Sequence, residues 1–186
     1  MTKGTGVRDR VRLVRGNIAA LPLEAIVTAA NSALMGGGGV DGAVHRAAGP
    51  ELQAALHAYD GCPEGDAVRT PGFHLPAKWV IHAVGPIYVN GSFGEAEILE
   101  SAYRRSLAVA EEAHVRTIAF PCIGTGAFRY PRPEAARIAI DTVTAWLTEH
   151  PLPETVWFCV FDPEDVVLYG TLLEMTPVSV ESVSSP

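Results

Sequence analysis

Three side chains that could orient a bound group or transfer a proton lie close together in the sequence. Asn31, Asp41 and His45 follow an apolar stretch that ends near Ala29. Asp41 and His45 are four positions apart, so on a helix they share one face, where a carboxylate and an imidazole can orient a group or transfer a proton. Each residue also has a purely structural alternative. Asn31 could form an Asx turn, Asp41 could complement the dipole of a first helical turn, and His45 could simply pack.

Two glycine-rich loops surround these candidates, and each follows an apolar strand and precedes a helix. The first contains Gly36–Gly39, and the second, Pro121–Pro131, contains Gly124 and Gly126. Backbone N–H groups at a helix N-terminus can bind phosphate without Lys or Arg. Because ligands of open α/β sheets bind outside the carboxyl ends of the strands, two such loops predict a diphosphate site, although flexible connections are the alternative. Neither loop has the Lys of a P-loop, and Arg129 stands where a dinucleotide fingerprint requires Gly.

Apolar strands alternate with helices along the chain. The strand-like runs are continuous rather than alternating in hydrophobicity, which is typical of strands buried on both faces, and we therefore expect a three-layer α/β domain. The predicted strands are Val11–Val14, Ala25–Ala29, Trp79–Val84, Thr117–Phe120 and Thr155–Phe161, and the predicted helices are Val40–Ala48, Glu51–Tyr59, Ala96–His114 and Pro133–His150.

Composition narrows the class of protein. The 186 residues suit one domain, which we place at residues 9–176, with a frayed segment over 1–8 and a flexible tail or short added edge over 177–186. A net charge of -7 argues against non-specific nucleic-acid binding. The three cysteines form neither a disulfide framework nor a CxxC zinc motif, and Cys122 has no adjacent base to make it a nucleophile. Without a signal peptide or a membrane-spanning run, we predict a cytoplasmic protein.

The sequence closely resembles the macrodomain family, in particular its MacroD-type branch. The resemblance covers about residues 9–175 and is strongest over Glu24–Gly49, which includes the four glycines and Val-Asp-Gly-Ala-Val-His-Arg. Further matching stretches are Gly61–Pro86 and Ile118–Pro131. The resemblance implies an α/β/α sandwich with a central mixed, largely parallel sheet. It also implies binding of ADP-ribose, hydrolysis of the ester that links mono-ADP-ribose to acidic side chains, and deacetylation of O-acetyl-ADP-ribose.

The resemblance assigns roles to individual residues. Asn31 and Asp41 would face the distal ribose with Phe128 packed against it, His45 would support them, and Phe161 would lie beside the adenine. Asp41 would orient or activate water, unless a substrate phosphate takes the proton. The expected ADP-ribose contacts are Asn17, Ile18, Asn31, Gly36, Gly37, Gly38, Gly39, Val40, Asp41, Ile123, Gly124, Thr125, Gly126, Ala127, Phe128 and Phe161. No metal or cofactor is expected, and the expected partners of this monomer are ADP-ribose and mono-ADP-ribosylated proteins.

Two positions depart from the family pattern, and two other functions stay open. Asn17 replaces the usual Asp that accepts a hydrogen bond from the adenine amino group, and Gly124 replaces a common Ser. The alternatives are a reader module that binds ADP-ribose without cleaving anything, and a phosphatase acting on ADP-ribose phosphate. The Asn31 and Asp41 pair favours the hydrolase, because a reader could dispense with it.

Overall fold

The computed structural model describes residues 6–185, which form a seven-stranded sheet with helices on both faces. The strands are β1 (Val11–Arg15), β2 (Ala25–Ala30), β3 (Ala67–Pro71), β4 (Trp79–Val84), β5 (Thr117–Phe120), β6 (Thr155–Val160) and β7 (Val178–Ser179). The helices are α1 (Gly39–Ala48), α2 (Pro50–Leu56), α3 (Glu95–Glu112), α4 (Arg132–Glu149) and α5 (Pro163–Leu173). Short 3-10 helices cover Val7–Arg10, Ile18–Ala20 and Val180–Ser182.

The sheet is mixed but largely parallel. Its strand order is β3-β4-β2-β5-β6-β1-β7, and within it only β3 runs antiparallel, to β4. The carboxyl ends of β4, β2, β5, β6 and β1 therefore meet along one edge, in that order. The loops that follow these strands form a continuous row, and this row is where a ligand of an open α/β sheet binds.

Two helical layers cover the sheet. Val44 of α1 and Leu52 of α2 pack on one face, in a cluster that includes Val14. Helices α3, α4 and α5 cover the opposite face, where Leu107 packs in a cluster that includes Leu13. Successive residues of β1 thus enter opposite layers, as the pleat of a strand requires. The arrangement is the three-layer α/β/α sandwich that the resemblance implied.

All five predicted strands and four predicted helices are present, with small shifts at their ends. Strand β6 ends at Val160, so Phe161 lies just outside it, and the helix expected to reach Tyr59 ends at Leu56. Helix α5 and strand β3 are not among the predicted elements. Helix α5 begins at Pro163 with two acidic residues in its first turn, a start signal that could have revealed it. Strand β3 is an edge strand that carries Arg69 and ends at Pro71, so it lacks the continuous apolar pattern.

The chain ends are more structured than a frayed start and a flexible tail. Residues 1–5 lie outside the described residues, but Val7 and Arg8 belong to a 3-10 helix, and Arg8 donates a hydrogen bond to the carbonyl of Leu173. Pro186 also lies outside the described residues, but within residues 177–185 the structure has the short added edge, since β7 pairs in parallel with β1. Val180 is buried against Gly16, which belongs to the loop after β1. A Cβ added to Gly16 would lie only 2.7 Å from the side chain of Val180, so the end of the chain packs directly against this loop.

Within residues 6–185, none of the helices combines the length and the apolar character that crossing a membrane requires.

Candidate active site

The two glycine-rich loops form the walls of one cleft of about 310 Å³ at the carboxyl edge of the sheet. The loop after β2 and the loop after β5 are neighbours because β2 and β5 are hydrogen-bonded partners. Most of the predicted contacts meet here. The cleft is lined by Ala29, Ala30, Asn31, Gly37, Gly38, Gly39, Val40, Asp41, Gly85, Pro121, Cys122, Gly124, Gly126, Ala127 and Phe128. Of the other predicted residues, Gly36, His45, Ile123 and Thr125 adjoin this lining, whereas Asn17, Ile18 and Phe161 belong to the loops after β1 and β6.

The first wall presents unpaired backbone donors at the start of α1. Within residues 6–185, no group accepts a hydrogen bond from the N–H of Gly38, Gly39 or Val40. Gly39 has a φ of +58°, a left-handed conformation that glycine adopts without strain. Free amides at a helix N-terminus, together with the helix dipole, favour an anion. This wall can therefore bind one phosphate.

The second wall is fixed from beneath by α3. The hydroxyl of Tyr103 accepts a hydrogen bond from the N–H of Ile123 at 3.3 Å and lies 3.3 Å from the carbonyl of Pro121. The loop also closes on itself, because the N–H of Tyr130 donates to the carbonyl of Gly124 at 2.8 Å. The amides of residues 125–128 find no acceptor in the described part of the chain, so they too are available to an anion.

Asp41 is a buried carboxylate with a partner on each oxygen. Its Oδ1 accepts a hydrogen bond from the Thr28 hydroxyl at 3.0 Å, and its Oδ2 accepts one from the N–H of Gly37 at 3.1 Å. His45 Nε2 lies 3.5 Å from the same Oδ1. These groups fix the orientation of the carboxylate where it lines the cleft. Asp41 and His45 thus form the pair that their spacing predicted.

A second histidine, His82 of β4, extends this group of polar side chains into the core. Thr28 and His82 are neighbours across β2 and β4, and the His82 ring lies 6.4 Å from the ring of His45. The Thr70 hydroxyl donates to the carbonyl of Pro71, so we assign the N–H of His82 to Nε2, which donates to Thr70 at 2.9 Å. Burial, with a smaller contribution from His45, lowers the pKa of His82 to about 3. The imidazole is therefore neutral at physiological pH.

The same residues are a possible metal site. Asp41, His45 and His82 each offer one ligand atom, and these atoms lie within 4.8 Å of one another. His82 Nδ1 has no hydrogen-bond partner among the described residues. One carboxylate and two imidazoles are donors that zinc accepts. Using Asp41 as a ligand would, however, compete with the hydrogen bonds from Thr28 and Gly37, so the observed arrangement suits an organised carboxylate better.

Asn31 lines the cleft and also fixes its own loop. Its Nδ2 donates to the carbonyl of Met35 at 2.7 Å, and its Oδ1 accepts from the N–H of Met35 at 3.1 Å. Gln53 of α2 stabilises the same loop with two further hydrogen bonds. Its Oε1 accepts one from the N–H of Gly36, and its Nε2 donates one to the carbonyl of Leu34, each at 2.9 Å. Asn31 does not form the Asx turn, which requires a bond to residue 33; its side chain bonds instead to Met35 and also lines the cleft.

The predicted adenine contacts lie farther along the carboxyl edge. Phe161 follows β6 and is 68% exposed. Asn17 follows β1 and is exposed, and its Oδ1 accepts a hydrogen bond from the N–H of Ala19, which caps the 3-10 helix Ile18–Ala20. Ile18 is buried beneath it and contributes packing rather than an exposed contact surface. The strand order therefore places these residues beyond the second loop, in line with the cleft.

Four residues that hold the site in place are not among the predicted site residues: Thr28, His82, Gln53 and Tyr103. His82 and Thr28 lie within apolar strand runs, where a lone polar residue is the signal that could have identified them. Buried polar side chains need partners, so their burial predicts a network. Gln53 and Tyr103 occupy ordinary helical positions and give no such signal.

Comparison with known proteins identifies relatives over most of the chain. The model of the Macro domain family matches residues 27–139. A macro domain-containing protein of Mesorhizobium japonicum is 51% identical over 161 residues, covering 87% of this chain and 92% of that protein. The O-acetyl-ADP-ribose deacetylase of Salmonella typhimurium is 51% identical over 169 residues, covering 89% of this chain and 94% of that protein.

Solved structures of macrodomains are similar to this chain in fold. The Trypanosoma brucei macrodomain in complex with ADP-ribose has a TM-score of 0.84 and 37% identity, covering 89% of this chain and 69% of that chain. The Oceanobacillus iheyensis macrodomain with ADP has a TM-score of 0.81 and 37% identity, covering 87% of this chain and 88% of that chain.

Proposed function

Since the chain belongs to the macro domain family, we propose that it binds ADP-ribose and hydrolyses esters on the distal ribose. Two substrates follow from this chemistry. One is O-acetyl-ADP-ribose, which the similar Salmonella protein is named for deacetylating. The other is mono-ADP-ribose linked to an acidic side chain of a protein, the activity of the MacroD-type branch. Both contain a carboxylic ester on the ribose that a water molecule can cleave.

The cleft suits a diphosphate with a sugar on either side. Residues 38–40 and 126–128 line the two walls of the cleft, and their unpaired amides can stabilise the diphosphate charge without cationic side chains. This explains how a protein with a net charge of -7 can bind an anionic ligand. The distal ribose would extend toward Asn31 and Asp41, and the adenine toward Asn17 and Phe161.

One observation carries the catalytic proposal: a buried carboxylate at the cleft wall whose orientation is fixed by Thr28, Gly37 and His45. In the proposed step, water attacks the ester carbonyl carbon while Asp41 orients it and accepts its proton. The bond between that carbon and the ribose oxygen breaks, and the ribose oxygen takes up a proton as it leaves. The alternative base is a phosphate oxygen of the substrate itself, which would leave Asp41 as an orienting group.

The proposed enzyme needs no cofactor, and its partners are ADP-ribose and mono-ADP-ribosylated proteins. We propose that it acts as a cytoplasmic monomer. Binding can be tested by thermal unfolding with ADP-ribose, where a 100-fold excess over Kd stabilises the folded state by about 2.7 kcal/mol. AMP, which lacks the distal ribose, serves as the control and should stabilise less. No shift with millimolar ADP-ribose would exclude the cleft as the binding site.

Catalysis is tested by mass spectrometry of the products from O-acetyl-ADP-ribose and from a glutamate-linked mono-ADP-ribosylated protein. We expect free ADP-ribose from both. Binding without any product would instead identify a reader module, and phosphate release from ADP-ribose phosphate without ester hydrolysis would identify a phosphatase.

A further inference from the structure

A loop beside the cleft exposes several apolar side chains. We call residues 87–93 the rim loop; it follows β4 and precedes α3. Ile87, Val89 and Phe93 are 57%, 64% and 68% exposed. The loop contains no charged residue, although the whole chain carries a net charge of -7. Clustered apolar side chains at a surface are typical of contact sites, whereas single ones are common everywhere.

The rim loop is fixed in shape by a buried carboxylate. Glu95 Oε2 accepts hydrogen bonds from the N–H of Val89, Asn90 and Gly91 at 3.1, 3.1 and 2.8 Å. Its Oε1 accepts one from the N–H of Phe93 at 2.6 Å. Burial acts to raise the pKa of Glu95, but the hydrogen bonds from the backbone outweigh it and lower that pKa to about 2. The loop therefore presents its apolar side chains on a preorganised backbone, which reduces the entropy lost on binding.

The rim loop is continuous with the cleft. The N–H of Tyr88 donates to the carbonyl of Phe128 at 2.8 Å, and Phe128 lines the cleft. The ring of Tyr88 packs on that of Tyr130, with centroids 4.9 Å apart. Arg129, between these two contacts, is exposed and forms no ion pair within residues 6–185. Apolar side chains and a cation thus border the cleft together, while the exposed carboxylate of Glu64 lies at the start of the rim loop, where it accepts a hydrogen bond from the N–H of Ile87 at 3.3 Å.

We propose that the rim loop and Arg129 dock the polypeptide that carries the ADP-ribosyl group, and that this polypeptide is acidic next to the modified residue. The inference rests on the proposed function. The rim loop follows β4, the neighbour of β2, so it borders the end of the cleft where Asn31 and Asp41 would meet the distal ribose. A polypeptide attached to that ribose leaves the cleft beside the loop. Its apolar side chains can pack on Val89 and Phe93, and its acidic neighbours complement Arg129.

Two substrates of different size test the proposal. O-acetyl-ADP-ribose has the ester without the polypeptide, whereas a glutamate-linked ADP-ribosyl peptide with flanking acidic residues has both. For the variant carrying V89S and F93S, we expect kcat/KM to fall about tenfold with the peptide, the effect of losing a modest apolar contact, and less than twofold with O-acetyl-ADP-ribose. V167S is the control, because Val167 is 69% exposed on α5, which contacts β6 and β1 and is therefore separated from the rim loop after β4 by β2 and β5.

A second variant tests the charge. R129Q should lower kcat/KM for the acidic peptide at low salt, and the difference from wild type should shrink at high salt as screening increases. The docking surface is overturned if V89S with F93S affects both substrates equally, or affects neither, or if the wild-type protein hydrolyses only O-acetyl-ADP-ribose. A wild-type protein that hydrolyses neither substrate overturns the proposed function itself, and with it the docking surface.

Discussion

The carboxyl edge of the sheet is built differently at its two ends, one at the cleft and the other beyond it. At the end formed by β4, β2 and β5, Asp41 is buried and bonded to Thr28 and Gly37, with His45 beside it and His82 behind. At the end formed by β6 and β1, Phe161 and Asn17 are exposed, and among residues 6–185 the side chain of Asn17 bonds only to the N–H of Ala19 in its own turn.

This difference separates two tasks. Bond cleavage requires a carboxylate held within a narrow range of positions, which buried hydrogen bonds from several elements supply. Recognition of a flat base tolerates more freedom, because an exposed aromatic ring can pack on it in several orientations. We therefore expect substitutions at the Asp41 end to affect rate and folding, and substitutions at the Asn17 end to affect affinity in small steps.

The largest expected effect is that of Asp41→Ala. Single-turnover release of ADP-ribose from a glutamate-linked substrate should slow by about 10²–10⁴-fold, the usual cost of losing a group that orients or deprotonates water. Affinity for ADP-ribose should fall by only about 1 kcal/mol, since most contacts come from backbone amides. Turnover like that of the wild type in a folded variant would remove Asp41 from the mechanism and leave the substrate phosphate as the base.

The pH dependence of the free energy of unfolding tests whether His82 is buried in its neutral form behind Asp41. The folded-state pKa of His82 is about 3, below its ordinary value of 6.5, so unfolding takes up a proton at acidic pH. The stabilisation is complete above pH 6.5 and is lost as the pH falls toward 3, by about 1.4 kcal/mol per pH unit. In chemical denaturation of the wild type, this group should account for a loss of about 2 kcal/mol between pH 7 and 5. His82→Gln should flatten this slope, and an unchanged slope would show that another group takes up the proton.

Thr28→Val removes one hydrogen bond from Asp41 without changing the volume of the side chain. We expect kcat to fall about tenfold, which corresponds to about 1.4 kcal/mol, while KM changes little because Thr28 does not line the cleft. Thr28→Ser keeps the hydroxyl and should restore most of kcat. Equal losses in the two variants would show that Thr28 matters only for packing.

The smallest effect is expected at the other end. Asn17→Asp should tighten binding of ADP-ribose by about 1 kcal/mol or less, because a carboxylate accepts a stronger hydrogen bond from the adenine amino group than an amide does. Asp also caps helices as well as Asn does, so the bond from Ala19 should persist. Calorimetry that finds weaker binding would mean that Asn17 donates to the ligand or does not reach the base.

Most of the fold could be predicted because its signals are local. The buried strands are continuous apolar runs, and α4 begins at a proline-containing first turn, so each element is identified by its own residues. The edge strand β3 could not be identified in this way, since its pairing with β4 supplies the stability that its sequence lacks. The chain end shows the same dependence, because two residues become a strand only where β1 offers an unpaired edge.

The two glycine loops and the positions of Asp41 and His45 on one helical turn can be predicted from the chain alone, because they depend on backbone conformation and helical spacing. The surroundings of Asp41 depend instead on how the strands pack. Thr28 and His82 come from strands that are distant in sequence and adjacent in the sheet, and their hydrogen bonds exist only at the register those strands adopt. The rim loop depends on the same kind of contact, since Tyr88 and Phe128 meet only after β4 and β5 take their places on either side of β2. Contacts between residues of different strands depend on how those strands pack, so no local sequence pattern predicts them.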